Sequence, residues 1–250
     1  MNKRIRVGAV SYLNTLPLIF GIKKSGLMNG IELIEDYPAS IAARLLKNEI
    51  DIGLIPVAII PQLKEPYIIT DYCIGSEGDV ASVALFSEVP LTEVRKVFLD
   101  YQSRTSVQLA RILLKEYWQL DIEFEQASFD YIHQIKGSTA GVVIGDRALQ
   151  QRHISPYIYD LATAWKDHTG LPFVFAAWVA NKPIDADFIH AFNQANKYGI
   201  MHLDEVLATA YCEYYDLKTY YTHNIQYQLT DNMRAGLALF LKKINQFNPL

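Results

Sequence analysis

Cysteine is nearly absent from this sequence. Cys73 and Cys212 are the only two in 250 residues, and neither belongs to a CxxC motif or a Cys/His pair at metal-ligand spacing. That excludes a disulfide-stapled scaffold and leaves two reduced thiols with no metal site to build. No apolar run reaches the roughly eighteen residues that a membrane-spanning helix needs. Positive charge is not in excess: 23 Lys and Arg stand against 27 Asp and Glu, a net charge of −4, which argues against a nucleic-acid partner. The histidines (His133, His153, His168, His190, His202 and His223) are scattered and form neither an HExxH motif nor a local triad, so each reads as a surface or capping residue. Internal repeats and low-complexity linkers are missing too. The N-terminal Met-Asn-Lys-Arg runs into a strand containing Arg6, not into an apolar signal core, so a cytoplasmic location is expected.

Half of the residues are hydrophobic, enough for a sizeable core in one large domain or two small ones. Strand patterns at 5–10, 31–37, 51–56, 67–74 and 80–86 alternate with helical ones, including a helix from Pro38 to Asn48 with Ser40 as its N-cap. A second unit starts near Ser87. It has strands at 94–99, 122–124, 140–144 and 157–159, a long helix from Arg104 to Trp118 capped by Ser103, and a helix 161–168 stopped at Gly170. A long apolar strand, 173–180, then leads into helical patterns at 186–198, 203–215 and 230–247. The order is α/β, then α/β, then a mostly helical tail, so each unit is expected to hold a largely parallel sheet. Reading 80–86 and 173–180 as two crossing strands gives one lobe of residues 1–86 and 177–250 and another of 87–176, with the tail returning to the first. Two lobes, two crossings and a helical return resemble the type II periplasmic-binding-protein architecture, in which ligands occupy the cleft between lobes.

Polar residues gather where such a cleft would lie. Ser11, Tyr12 and Asn14 follow the first strand directly, at the carboxyl end where open α/β sheets bind ligands; an N-capped βα turn would use the same residues. Pro56 and Val57 end the third strand, and Ser82 interrupts the first crossing, where it could equally bond to its own backbone. Ser103, Arg104, Thr105 and Ser106 combine a helix N-terminus with three hydroxyls and a guanidinium, which suits an anion. Ser40 offers a second helix start, and Gly145 with Asp146 ends a strand of the second unit, where Asp146 could simply cap a helix. The many tyrosines of the last third (Tyr198, Tyr211, Tyr214, Tyr215, Tyr220, Tyr221 and Tyr227) read as helix packing.

Val7-Gly8-Ala9-Val10-Ser11-Tyr12-Leu13-Asn14-Thr15-Leu16-Pro17-Leu18 also resembles the N-terminal motif of the chorismate dehydratases of the futalosine route to menaquinone. Val80-Ala81-Ser82-Val83, Leu99-Asp100-Tyr101-Gln102-Ser103-Arg104-Thr105-Ser106, Ile144-Gly145-Asp146 and 169–176 fit the same family in order and spacing. The resemblance implies a type II periplasmic-binding-protein fold and loss of water from chorismate to give 3-[(1-carboxyvinyl)oxy]benzoate. It implies no metal or organic cofactor. It favours catalytic roles for Asn14 and Ser82, with the remaining cleft residues binding the two carboxylates of the substrate. A monomer or homodimer is expected. Two other readings use the same fold: a cytoplasmic carboxylate-binding protein, and the related enzyme of the same pathway that forms a dihydroxynaphthoate.

Overall fold

The computed structural model describes residues 4–247. The chain opens with β1 (Ile5–Val10), a 3-10 turn (Leu13–Thr15), α1 (Leu16–Lys24), β2 (Ile31–Asp36), α2 (Pro38–Leu46), β3 (Ile52–Pro56), a 3-10 segment (Val57–Gln62) and β4 (Tyr67–Ser76). It continues with β5 (Val83–Ser87), β6 (Lys96–Leu99), α3 (Thr105–Ile112) extended by a π-helical turn (Leu113–Tyr117), β7 (Glu123–Gln126), β8 (Thr139–Ile144), α4 (Asp146–Gln151), β9 (Tyr157–Asp160) and α5 (Leu161–Thr169). It closes with β10 (Phe173–Ala180), α6 (Ala186–Met201), α7 (Leu203–Leu207), α8 (Leu217–Thr219) running into a π-helical turn (Tyr220–Asn224), β11 (Gln226–Gln228) and α9 (Asp231–Phe247).

Two sheets result, each the centre of one lobe. The first has strand order β11-β4-β10-β3-β1-β2 and the second β7-β6-β8-β5-β9. Every residue of β3 is buried, as an uninterrupted apolar run covered on both faces should be. Helices α1 and α6 meet almost backbone to backbone: a Cβ on Gly21 would come within 1.9 Å of the Ala195 carbonyl oxygen, so only glycine fits there. Among the described residues no helix is long and apolar enough to cross a membrane.

The sheets are mixed, not largely parallel. β1 pairs in parallel with β2 and β3, and β6 with β7 and β8. β10 runs antiparallel to β3 and β4, and β5 antiparallel to β8 and β9, because each enters its sheet from the other lobe. The expected strand 80–86 starts only at Val83. Ala81 has φ 61, which a strand cannot accommodate. The expected divisions at 86/87 and 176/177 fall inside β5 and β10. The chain changes sheet at 77–82 and 170–172, and we propose these two links as the lobe boundaries.

Three further expectations change. Ser40 is not an N-cap: α2 starts at Pro38, which suits a first helical position because it has no N–H to leave unpaired. Ser40 instead donates its hydroxyl proton to Asp36 Oδ2 at 2.5 Å. The helix expected over 203–215 stops at Leu207, where Thr209 Oγ1 donates to the Val206 carbonyl and competes with the helical ladder. The tail does not return to the first lobe alone. Helix α9 lies across both: Phe240 packs on Phe173 of β10 at 4.8 Å between ring centroids and on Trp165 of α5 at 6.0 Å, and Lys243 pairs with Glu116 beyond α3.

Two predictions follow from this framework. Phe240 is fully buried between the lobes, so Phe240→Ala should cost about 3–5 kcal/mol in urea unfolding, as large-to-small changes of buried aromatics do. Asp51 sits at the start of β3 and binds Arg6 Nε at 3.1 Å, the Arg6 backbone N–H at 3.0 Å and Lys182 Nζ at 2.7 Å. Burial alone would raise the Asp51 carboxyl; the Arg6 and Lys182 hydrogen bonds outweigh it and hold the group well below the usual carboxylate range. A carboxyl with a lowered folded-state pKa stabilises the fold above its unfolded value, about 4, and loses that contribution as pH falls further. Asp51→Asn should therefore lower the melting temperature at pH 7 and flatten its decline below about pH 4.

Candidate active site

A cavity of 60 Å³ lies between the lobes, where β1, β3 and the link 77–82 meet the start of α3. From the first lobe it is lined by Val10, Tyr12, Asn14, Thr15, Pro38, Leu54 and Pro56. Ser103, Thr105, Ser106, Ile144 and Gly145 face them from the second lobe, and Val80 and Ser82 come from the link. Ile74, Phe175 and Ala176 complete an apolar wall.

Most of the polar groups are held in place. Ser103 Oγ accepts from the Ser106 N–H at 3.0 Å, the cap expected for α3, and Thr105 Oγ1 accepts from the Ala58 N–H of the other lobe at 3.2 Å. Asn14 Oδ1 accepts from Thr15 Oγ1 at 3.0 Å, while Tyr227 donates its hydroxyl proton to the Asn14 carbonyl at 2.9 Å. Ser82 is fully buried, and its Oγ accepts from the Tyr220 hydroxyl at 2.7 Å. The loop that carries Ser82 is fixed by Asp160, whose Oδ2 accepts from the N–H groups of Val80 at 3.1 Å and Ala81 at 3.0 Å.

The lobes also touch directly. Tyr12 donates to Gln102 Oε1, which is held by Arg147 Nη2 at 2.9 Å; the same guanidinium grips the buried Asp100 at 2.8 Å. The Tyr12 ring lies against Gly145. With φ 64 and ψ −149 this residue occupies a region open essentially to glycine alone, and a Cβ there would stand 2.9 Å from the ring.

Of the residues expected at a site, Tyr12, Asn14, Pro56, Ser82, Ser103, Thr105, Ser106 and Gly145 line the cavity. Five stand outside it. Ser11 is exposed and gives its N–H to the Asp36 carbonyl; Ser40 binds Asp36. Val57 is buried behind Pro56 in the core. Asp146 accepts the Leu13 N–H at 3.2 Å across the joint, and burial raises its carboxyl despite that bond and the nearby Arg147. Arg104 is exposed and borders a separate outer groove of 450 Å³ with Arg111, Gln62 and Gln126. Tyr220, Tyr227, Gln102, Arg147 and Asp160 were not expected at the site. Only Asp160 carried a readable signal, an Asp directly before a helix, and it does cap α5 through the Ala162 and Thr163 N–H groups.

Among the described residues, the lining holds no His, Asp, Glu, Lys or Arg. Its one ionisable group, the Tyr12 phenol, is pushed further up by burial and stays neutral. The cavity thus offers hydroxyls, an amide and a helix N-terminus: donors suited to carboxylates, with no side chain that would act as a general base at neutral pH.

Residues 5–246 match the family described as menaquinone biosynthesis. The chain is 26% identical over 269 residues to a protein named chorismate dehydratase from Thermus thermophilus, covering 98% of this chain and 97% of that one. It is 25% identical to another of that name from Campylobacter jejuni, covering 96% and 98%. In structure it resembles the Candida albicans CA3427 gene product, which has the generic periplasmic binding protein fold, with a TM-score of 0.65, 14% identity and coverage of 98% and 90%. The two-lobed architecture is therefore of the type II periplasmic-binding-protein kind, and the chain belongs to the menaquinone biosynthesis family.

Proposed function

We propose that the protein is a cytoplasmic chorismate dehydratase, a lyase that removes water from chorismate to form 3-[(1-carboxyvinyl)oxy]benzoate. The observation that carries this reading is a cleft rich in neutral donors and lacking a titratable base, in a chain similar throughout its length to proteins named for that reaction. The reaction takes a proton from the ring carbon that bears the enolpyruvyl ether and expels the hydroxyl from the adjacent carbon. Negative charge spreads through the diene toward the ring carboxylate, and aromatisation drives the reaction forward.

The start of α3, with Ser103, Thr105 and Ser106, supplies N–H and hydroxyl donors for one carboxylate, fixed in place before charge develops there. Asn14 and Ser82 orient the enolpyruvyl carboxylate, which takes the proton, so the substrate provides the base that the lining lacks. At 60 Å³ the cavity is far below the 300–1,000 Å³ or so of ordinary ligand sites. The lobes must part to admit chorismate and close to exclude water from the reactive conformer.

A second reading, a carboxylate-binding protein on the same fold, is favoured by the same absence of a base. Purified protein mixed with chorismate separates the two: the dehydratase reading requires an aromatic product by absorbance and mass, whereas a binding protein gives heat of binding and no product. With turnover in hand, Asn14→Ala and Ser82→Ala should each lower kcat about 10²-fold, the scale of losing one preorganised donor, with a much smaller change in KM. Unchanged kcat in the folded fraction would remove both from the chemistry. Arg104→Ala should leave kcat unaltered and reduce kcat/KM at low salt only, because a charge outside the cavity acts by steering the dianion.

A further inference from the structure

Tyr220 lies 138 positions from Ser82 in the chain, is fully buried and is absent from the cavity lining. Its hydroxyl nevertheless meets one of the two residues to which the chemistry was assigned: it donates to Ser82 Oγ at 2.7 Å. The ring is set by its neighbours, Tyr215 edge-on at 6.0 Å and Tyr221 at 5.8 Å between centroids.

Two hydrogen bonds set which protons face the cavity. Thr15 Oγ1 donates to Asn14 Oδ1, which turns the amide so that Nδ2 faces away from Thr15. The Tyr220 proton goes to Ser82 Oγ. An amide nitrogen has two protons and a hydroxyl one. The Asn14 N–H groups and the Ser82 O–H are the protons these two bonds leave over, and both residues border the cavity.

We propose that Tyr220 is a positioning residue: by donating to Ser82 Oγ it leaves the Ser82 proton for the ligand, so that Ser82 and the Asn14 amide, itself turned by Thr15, both present donors to one acceptor group. The inference rests on the dehydratase reading and deepens it. Two convergent donors select a carboxylate over a group that itself donates. They hold that carboxylate in one orientation, as its use as a base demands. The bond from Tyr220 polarises the Ser82 hydroxyl, so the Ser82 proton is more acidic toward the ligand than that of an isolated serine. Burial keeps the phenol protonated, which preserves its role as donor to Ser82.

The test is a double-mutant cycle in steady-state kinetics with chorismate. Tyr220→Phe keeps the ring and its packing and removes only the hydroxyl. It should lower kcat about tenfold, the upper range for loss of one neutral hydrogen bond. KM should shift by less than about threefold, since little ground-state binding is lost. In a Ser82→Ala background the same substitution should cost less than about threefold, because coupled residues are not additive. Thermal melts on all four proteins report folding. Equal losses of kcat in both backgrounds, or a lowered melting temperature with kcat unchanged in the folded fraction, overturn the role of Tyr220 while leaving the dehydratase reading intact. No turnover by the wild-type protein overturns that reading and this role with it.

Discussion

The site depends on one half-buried carboxylate. Asp160 receives four backbone N–H groups, two from the start of α5 and two from the link between the lobes. The first pair satisfies donors that every helix N-terminus leaves open. The second holds Val80 and Ala81 in a conformation that a free chain would seldom adopt, with Ala81 in the left-handed region. Ser82 follows immediately, and its carbonyl receives the Gly145 N–H at 2.8 Å. One side chain of the second lobe thus sets the position of a cavity hydroxyl, of the loop beside it and of the joint about which the lobes would turn.

Much of the architecture is legible in the sequence because its signals are local. The strand 173–180 is an unbroken apolar run, and the observed strand has the same bounds. Helix 161–168 announces itself by Asp160 in front and Gly170 behind, and Gly170 does take a left-handed conformation with φ 75. Ser103 reads as a cap and behaves as one. The errors arise where a distant partner overrides a local preference. Val80–Ser82 is apolar enough for a strand, but Asp160 holds it out of one. Ser40 looks like a cap, but Pro38 starts the helix earlier.

The polar surroundings of the cavity were legible only in part, for the same reason. Tyr12, Asn14 and Ser103–Ser106 stand at the ends of elements, where sequence pattern indicates position. Arg104 sits within the same run, yet points into the outer groove, since adjacent residues at a helix start face different directions. Tyr220 and Tyr227 lie in a tail whose many tyrosines are indistinguishable by spacing. What separates them is a single hydroxyl contact each, to Ser82 and to the Asn14 carbonyl.

Those contacts bear on how the protein is made. A ribosome emits the first lobe's opening strands, then the whole second lobe, and only later β10, which completes the centre of the first sheet. Residues 220–227 come later still, and α9, which ties the lobes together through Phe240, comes after them. Domains fold as they are synthesised, so the second lobe can be compact while the first still lacks two of its strands. Until the tail emerges, Ser82 and Asn14 have no hydroxyl behind them, and the cleft is a gap between unfinished halves. The chain order therefore makes completion of the polar centre a late event in biosynthesis.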